Sequence, residues 1–73
     1  DDDNTGGYAI VEVKIATAAS TTTDFAKLKA GDIVVLISTA EAVASRFDMS
    51  AGADGTSDLT PAVGELIIIL RAA

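Results

Sequence analysis

Carboxylate side chains are the groups of this chain that could do chemistry. The sequence holds 11 Asp and Glu residues but neither His nor Cys. A site would therefore have to use two carboxylates as acid and base, or a cluster of them as ligands for a hard cation such as calcium. The candidates are the triplet Asp1–Asp3, the loop from Asp48 to Asp58, and the separated pair Asp32 and Glu65.

A calcium loop is the first hypothesis, for the segment that follows Asp48. Asp48, Ser50 and Gly52 occupy alternate positions, as the first ligands of such loops do. A calcium loop needs Gly at its sixth position and Glu at its twelfth, whereas this segment has Ala53 and Leu59 there. We therefore interpret it as an ordinary turn-rich loop, and the acidic triplet at the start of the chain as a solvated end.

An acid–base pair is the second hypothesis, because Asp32 and Glu65 stand at equivalent places in two similar segments. Each acid follows a Gly and precedes five aliphatic residues, and the segments are offset by 33 residues. Side by side at one end of a sheet, two carboxylates could share a proton. We favour the alternative, in which both are turn residues in front of strands. The sequence therefore predicts a protein that is not an enzyme, with no cofactor and no metal site.

Two aliphatic runs, residues 33–37 and 66–70, predict the central strands of the fold. Each run is short, rich in β-branched residues and bounded by turn residues, and neither alternates with polar residues. That pattern indicates strands covered on both faces. Further strands are predicted near residues 8–16 and 43–50. The predicted fold class is mainly β, an antiparallel sheet of about four to six strands that curls into a small barrel or sandwich.

The first predicted strand, residues 8–16, alternates between apolar and polar positions. Val11, Val13 and Ile15 fall on one face, together with a small Ala. We expect that face to meet the core. The charged residues Glu12 and Lys14 fall on the opposite face, which we expect to meet water.

One short helix is predicted near residues 23–30. A Thr able to cap it, two large apolar residues three apart and a closing Gly are start and stop signals of a helix. So short a helix is stable only if Phe25 and Leu28 dock onto the sheet. Residues 39–46 could form another helix or join a strand from about 43 to 49. We prefer the strand, because it brings three sizeable apolar groups to one side.

Composition and charge limit the partners. The chain of 73 residues has room for one small domain, with residues 1–7 as a flexible acidic arm. A net charge of −6 and five scattered Lys and Arg residues disfavour nucleic acid and anionic membrane surfaces. The aliphatic run 66–70 is far shorter than the roughly 20 residues of a membrane span. We expect no nucleic-acid partner and no membrane partner.

Surplus aliphatic surface is the strongest functional hint in the sequence. Two five-residue aliphatic strands in a small sheet leave one face without a cover that a single short helix could provide. We therefore expect a homo-oligomer or a complex with another protein, with Tyr8, Ile10, Ile67 and Ile69 at the partner interface. The alternative is a soluble binding module that captures a partner peptide by adding it as a strand to a sheet edge.

Three stretches carry a resemblance to a known class of proteins. They are Leu28–Lys29–Ala30–Gly31–Asp32 before an aliphatic strand, Ala53–Asp54–Gly55–Thr56, and Pro61–Ala62–Val63–Gly64–Glu65 before a strand that ends in Leu70–Arg71. Together they resemble the small β-rich virion proteins of tailed bacteriophages that decorate or cement a capsid. The resemblance implies a non-enzymatic homo-oligomer that binds at junctions between capsid subunits and stabilises the shell.

If the resemblance holds, the partner is the major capsid protein or another structural protein, and the location is the capsid surface of the virion. The cytoplasm is the alternative location. The class has no catalytic residues to carry over to this sequence.

Overall fold

Four β-strands form the regular structure of the residues that the structure describes. The computed structural model describes residues 7–17, 25–38 and 45–73. The strands are β1 (Tyr8–Ile15), β2 (Ile33–Ile37), β3 (Arg46–Asp48) and β4 (Leu66–Ala72). They form one antiparallel sheet in the order β1-β4-β2-β3, which confirms the mainly β prediction. Within the described residues the sheet is open, with β1 and β3 at its edges, and is neither a barrel nor a sandwich.

The two aliphatic runs form the centre of the sheet, as predicted. β4 pairs with β1 on one side and with β2 on the other, and β2 also pairs with β3. The register of the central pair begins with Ile33 opposite Leu70 and has Val35 opposite Ile68 at its middle. Short β-branched runs suit this position, because their side chains pack well on a pleated surface.

One face of the sheet carries the hydrophobic core, and we call it the covered face. Side chains alternate along a strand, so every second residue of each central run points to this side. Val34, Leu36, Ile67 and Ile69 are fully buried there. The loop residues that complete the core are Ala16, Phe25, Leu28 and Ala51. Burial of one Leu, Ile or Phe side chain contributes about 1.5–3 kcal/mol, which makes this face the main source of hydrophobic stabilisation.

The predicted helix near residues 23–30 is wrong over its described part, residues 25–30, which forms turns. Within it the amide of Leu28 donates to the Phe25 carbonyl at 3.0 Å, which closes a single turn, and other backbone groups bond to distant loop residues. The amide of Ala30 donates to the Asp54 carboxylate, and the amide of Gly55 donates to the Leu28 carbonyl. The predicted docking of Phe25 and Leu28 is nevertheless confirmed, since both are buried. No described residue belongs to a helix that is long and apolar enough to cross a membrane.

The predicted facing of β1 is confirmed for Val11, which packs against the core, and is wrong from Glu12 onward, where a β-bulge is the reason. The register with β4 shifts between Ile10 and Glu12, so one extra residue reverses which face the following side chains take. Val13 and Ile15, expected in the core, are 52% and 53% exposed. Glu12 and Lys14, expected in water, lie opposite buried residues of β4 on the covered face.

The strand predicted near residues 43–50 is confirmed for the three residues of β3. Phe47 lies opposite Val35 and is 59% exposed. Residues 39–44, which decide between helix and strand, lie outside the described part of the chain. So do residues 1–6, most of the predicted acidic arm.

Two turns of the same construction lead into the central strands. In the first, the amide of Asp32 donates to the Lys29 carbonyl at 3.0 Å, and in the second the amide of Glu65 donates to the Ala62 carbonyl at 3.0 Å. The third residue of each turn is Gly, with φ of 90° at Gly31 and 92° at Gly64. A positive φ at that position is the mark of a type II turn.

The equivalence of the two turns extends to the segments that hold them. The amide of Gly31 donates to the Ala51 carbonyl at 2.7 Å, and the amide of Gly64 donates to the Ala16 carbonyl at 3.0 Å. The offset of 33 residues also relates Val35 to the residue directly opposite it, Ile68. The sheet therefore has an approximate two-fold axis, perpendicular to its plane, through the middle of the β2–β4 pair.

Replacing Gly31 or Gly64 with Ala is expected to lower the free energy of unfolding by about 1 kcal/mol each. A Cβ added at either position would meet nothing within 4 Å, so the loss comes from backbone strain at positive φ and not from a clash. Gly52→Ala is the matched control, because Gly52 also has open space but no positive φ. Urea denaturation measures all three. Equal losses would contradict the assignment of strain to the two turns.

Candidate functional site

The two turn acids lie at opposite ends of the central strand pair. Because β2 and β4 are antiparallel, Asp32 is beside the end of β4, whereas Glu65 is beside the end of β2. Five residues of extended chain separate the two ends by roughly 17 Å. The acid–base hypothesis for Asp32 and Glu65 is therefore wrong, and the favoured interpretation as turn residues is confirmed.

Asp32 is fully committed to internal hydrogen bonds. Its carboxylate is buried, and it accepts two parallel bonds from the Arg71 guanidinium, each 2.9 Å long. The amide of Lys29 donates a third bond at 2.9 Å. The paired Arg71 hydrogen bonds hold the pKa of Asp32 below its ordinary value, and the Lys29 amide lowers it further against the effect of burial. Asp32 in turn raises the pKa of Arg71.

Glu65 is held in the same way, by a different cation. The amide of Ala62 donates to its buried carboxylate at 2.6 Å, and the Arg46 guanidinium of β3 pairs with the same oxygen. The backbone hydrogen bond from Ala62 is the main cause that lowers the pKa of Glu65, and Arg46 adds to it. Each acid thus ties its own turn to a neighbouring strand. Neither carboxylate is available to a substrate.

The lowered pKa values of Asp32 and Glu65 predict acid-dependent stability. A carboxyl group whose pKa is lower in the folded chain contributes stability above its unfolded pKa, about 4, and loses it as the pH falls through its folded pKa. We expect the urea midpoint to stay level from pH 7 to pH 5 and to fall below about pH 4. In the double variant Asp32→Asn/Glu65→Gln, the urea midpoint should decrease much less below that pH. The exposed loop variant Asp58→Asn should retain the full decrease, and equal slopes would contradict the prediction.

Two acids in or next to the loop after β3, Asp48 and Asp54, also accept internal hydrogen bonds. Ser57 donates its hydroxyl to Asp48 at 2.7 Å, and Asp54 accepts the amide of Ala30 at 2.9 Å. In the described part of the chain no three His, Cys, Asp or Glu residues lie close enough together to hold a metal ion. The same part contains no cavity for a small ligand. The triplet Asp1–Asp3 lies outside the described residues.

The face of the sheet opposite the covered face has no layer of described residues over it, and we call it the open face. Residues directly opposite each other in antiparallel strands share a face, so the registers identify its members. A row across all four strands is formed by Val13, Ile68, Val35 and Phe47. The other members are Tyr8, Ile10, Ile15, Ile37, Leu66 and Leu70, together with Ile33, which is itself buried.

The open face carries no charged side chain. Every charged residue within the strands falls on the covered face by the same registers: Glu12, Lys14, Arg46, Asp48 and Arg71. A sheet with one face in water normally shows the reverse, with polar residues outside and apolar residues inside. In this sheet the apolar side chains lie on the uncovered side and the strand charges on the packed side.

The predicted interface residues divide between the two faces. Tyr8 and Ile10 lie on the open face and are 56% and 66% exposed. Ile67 and Ile69 are completely buried in the core. The prediction that Ile67 and Ile69 lie at a partner interface is therefore wrong. Both lie beneath the loops of the covered face, where a partner could not reach them.

The residues that sequence reasoning missed are the alternate members of the same run, Leu66, Ile68 and Leu70. Five consecutive aliphatic residues contain no polar position to mark the outer side. Arg71 carried the available signal. Residues two apart on a strand point to the same face, and Arg71 stands two residues after Ile69. Recognising that Arg71 pairs with a buried acid would therefore have placed Ile69 on the covered face.

The open face is the feature of the described surface that the fold itself does not explain. The ion pairs and the loop acids serve the turns and loops, whereas the row through Val35 and Ile68 contributes to no core within the described residues. Comparison of the chain with protein-family models, with curated proteins and with solved structures found no match.

Proposed function

We propose that this protein is a non-enzymatic structural component of a virus particle, a capsid decoration or cement protein that oligomerises and binds the shell to stabilise it. The single observation that supports this proposal is the charge-free open face. The resemblance of residues 28–71 to small virion proteins of tailed bacteriophages supports the choice of particle. The proposed location is the capsid surface.

The size of the open face supports a role in assembly. Strands about 4.8 Å apart and residues about 3.3 Å apart give the face an extent of roughly 400 Å². Contiguous apolar patches of that size on small proteins mark interaction sites more often than not. At about 25 cal/mol per Å² of apolar surface removed from water, covering it supplies a substantial driving force for association.

The state of the acids supports a role without catalysis. A general acid or base must reach a substrate, and its pKa is usually moved toward neutrality. Asp32 and Glu65 are buried in hydrogen bonds that move their pKa values the other way. These two acids therefore do the work of fastening turns to strands.

A density gradient of lysate from the source cells tests the proposal. The chain, detected by mass spectrometry, should migrate with large particles together with a shell protein. The variant Val13→Asp, with a charge in the open face, should be lost from the particle fractions, whereas Val63→Asp should stay. Val63 is 69% exposed in the turn before β4, outside the sheet. Recovery of the native chain only in light fractions would refute the proposal.

Strand addition is the second candidate function, and the edge position of β1 is the observation that favours it. β1 has eight residues and pairs with β4 alone among the described strands. An extended peptide could bond to its outer edge, although the bulge between Ile10 and Glu12 limits the regular stretch to residues 12–15. Addition of a peptide of sequence 1–7 should then slow hydrogen exchange in β1. Unchanged exchange at millimolar peptide would exclude that ligand.

A further inference from the structure

We propose that the open face is covered by a second copy of this chain, which packs its own open face against the first. The two sheets then form a sandwich related by a two-fold axis that lies between them. This inference rests on the proposed function, in which the open face serves assembly, and names the partner and the geometry of that contact.

The chain itself has too little apolar material left to cover the open face. The residues outside the described part are 1–6, 18–24 and 39–44, and their sequence consists of Asp, Glu, Asn, Thr, Ser, Gly and Ala with a single larger aliphatic residue, Val43. One Val side chain cannot shield a face of eleven residues, most of them large and aliphatic. These segments therefore do not supply the apolar surface that would cover the open face.

The chemistry of the open face fits a copy of itself. A surface without charges offers nothing to select a charged partner, and burial of a charge against it would cost free energy. A second open face brings no charge to be desolvated and contributes the same aliphatic side chains, so both copies bury apolar surface in one contact.

The charges within the strands, two acidic and three basic, do not oppose this contact strongly. Stacked sheets lie about 10 Å apart, and the strand charges point away from the contact on the far side of each sheet. The strand charges of the two copies are thus separated by more than the Debye length, about 8 Å at physiological ionic strength. Association should depend little on salt, unlike binding driven by charge.

The internal two-fold axis favours a symmetric contact. Since it passes midway between Val35 and Ile68, the central strand pair of the open face has nearly the same shape after half a turn. Two such faces stack with their centres aligned and their strands about 30° apart, as in β-sandwiches. Val35 and Ile68 of both copies then meet at the centre of the contact, and Val13 and Phe47 lie at its rim.

The expected area indicates a dimer of moderate affinity. Two open faces of roughly 400 Å² each bury about 800 Å² in total, smaller than a standard specific interface. We therefore expect a dissociation constant on the order of micromolar, within the range of sedimentation velocity.

Sedimentation velocity of the whole chain, from micromolar to millimolar concentration, tests the inference. The native chain and Val63→Asp should dimerise alike. Val13→Asp and Phe47→Asp should weaken the dimer by about 10-fold or more, because each places a charge without a partner at the edge of an apolar contact. Both positions are more than half exposed in the single chain, so circular dichroism should show that the variants remain folded.

Cysteine crosslinking gives a second measurement that does not need a charged variant. The chain has no Cys of its own. Stacked sheets lie about 10 Å apart, too far for a direct disulfide, so the reagent is a bismaleimide whose arm spans roughly that gap. With it Ile68→Cys, at the centre of the contact, should form a covalent dimer, whereas Val63→Cys should remain largely monomeric. Equal crosslinking of both would overturn the inference.

The outcomes separate this inference from the proposed function. A native chain that stays monomeric to millimolar concentration but enters particle fractions through Val13 would show a different protein on the open face and refute the second copy. A dimer broken by Val13→Asp, formed by a chain that never enters particle fractions, would support the second copy and refute the role in a particle.

Discussion

Replacing Arg71 with Ala is expected to lower the free energy of unfolding by about 3 kcal/mol at pH 7. The Asp32 carboxylate is only 2% exposed, and the substitution removes both guanidinium bonds that compensate its burial. The remaining bond, from the Lys29 amide, cannot replace a full positive charge. Equilibrium urea denaturation of the folded chain measures the loss.

An exposed ion pair of the same protein provides the control for Arg71→Ala. Lys29 and Asp54 approach to 3.8 Å, but their side chains are 62% and 67% exposed. Lys29→Ala should therefore cost less than about 1 kcal/mol. In the background Asp32→Asn, Arg71→Ala should lose much of its effect, because the carboxylate charge is gone. Similar losses of unfolding free energy for Arg71→Ala and Lys29→Ala would show that the burial of Asp32 does not account for the contribution of its ion pair to stability.

Ile67→Ala is expected to destabilise the single chain by about 3 kcal/mol, and Ile68→Ala by about 1 kcal/mol or less. Ile67 is fully buried on the covered face, so its loss leaves a cavity among side chains that cannot close it. Ile68 is only partly buried, on the open face, where water can fill the space that it leaves. Thermal and urea unfolding at a protein concentration well below dimerisation gives both values.

For self-association, the expected effects of Ile67→Ala and Ile68→Ala have the opposite order. Ile68→Ala should weaken self-association, because Ile68 lies at the centre of the proposed contact. Ile67→Ala should leave the association constant of the folded chain nearly unchanged. A larger loss of stability for Ile68→Ala than for Ile67→Ala in the single chain would mean that the two faces of β4 have been assigned the wrong way round.

The central elements of the fold could be predicted from the sequence because their signals are local. Short β-branched runs at 33–37 and 66–70, each preceded by Gly and an acid, specify a turn and a strand within a few residues. The repetition of this segment, a Gly and an acid before an aliphatic run, indicated two equivalent turns, and the structure has them. Phe25 and Leu28 were placed in the core correctly, since their spacing and size suit docking whatever backbone carries them.

The facing of the strands could not be predicted, because it depends on contacts between distant parts of the chain. A single extra residue in the β1 bulge exchanges inside for outside, and nothing in the local pattern marks it. The pairing of Asp32 with Arg71, 39 residues away, is likewise a distant contact that accompanies the burial of every second residue of the β4 run. The helix over residues 25–30 failed for the same reason, since loop partners took its backbone groups.

The central place of β4 has a consequence for the way in which the protein is made. β4 pairs with both β1 and β2, yet it follows every other strand in the sequence. During synthesis on the ribosome, β1 and β2 therefore remain without their shared partner strand until β4 emerges. The sheet closes late and through contacts distant in sequence, a topology that slows folding and leaves sticky intermediates in need of protection by chaperones.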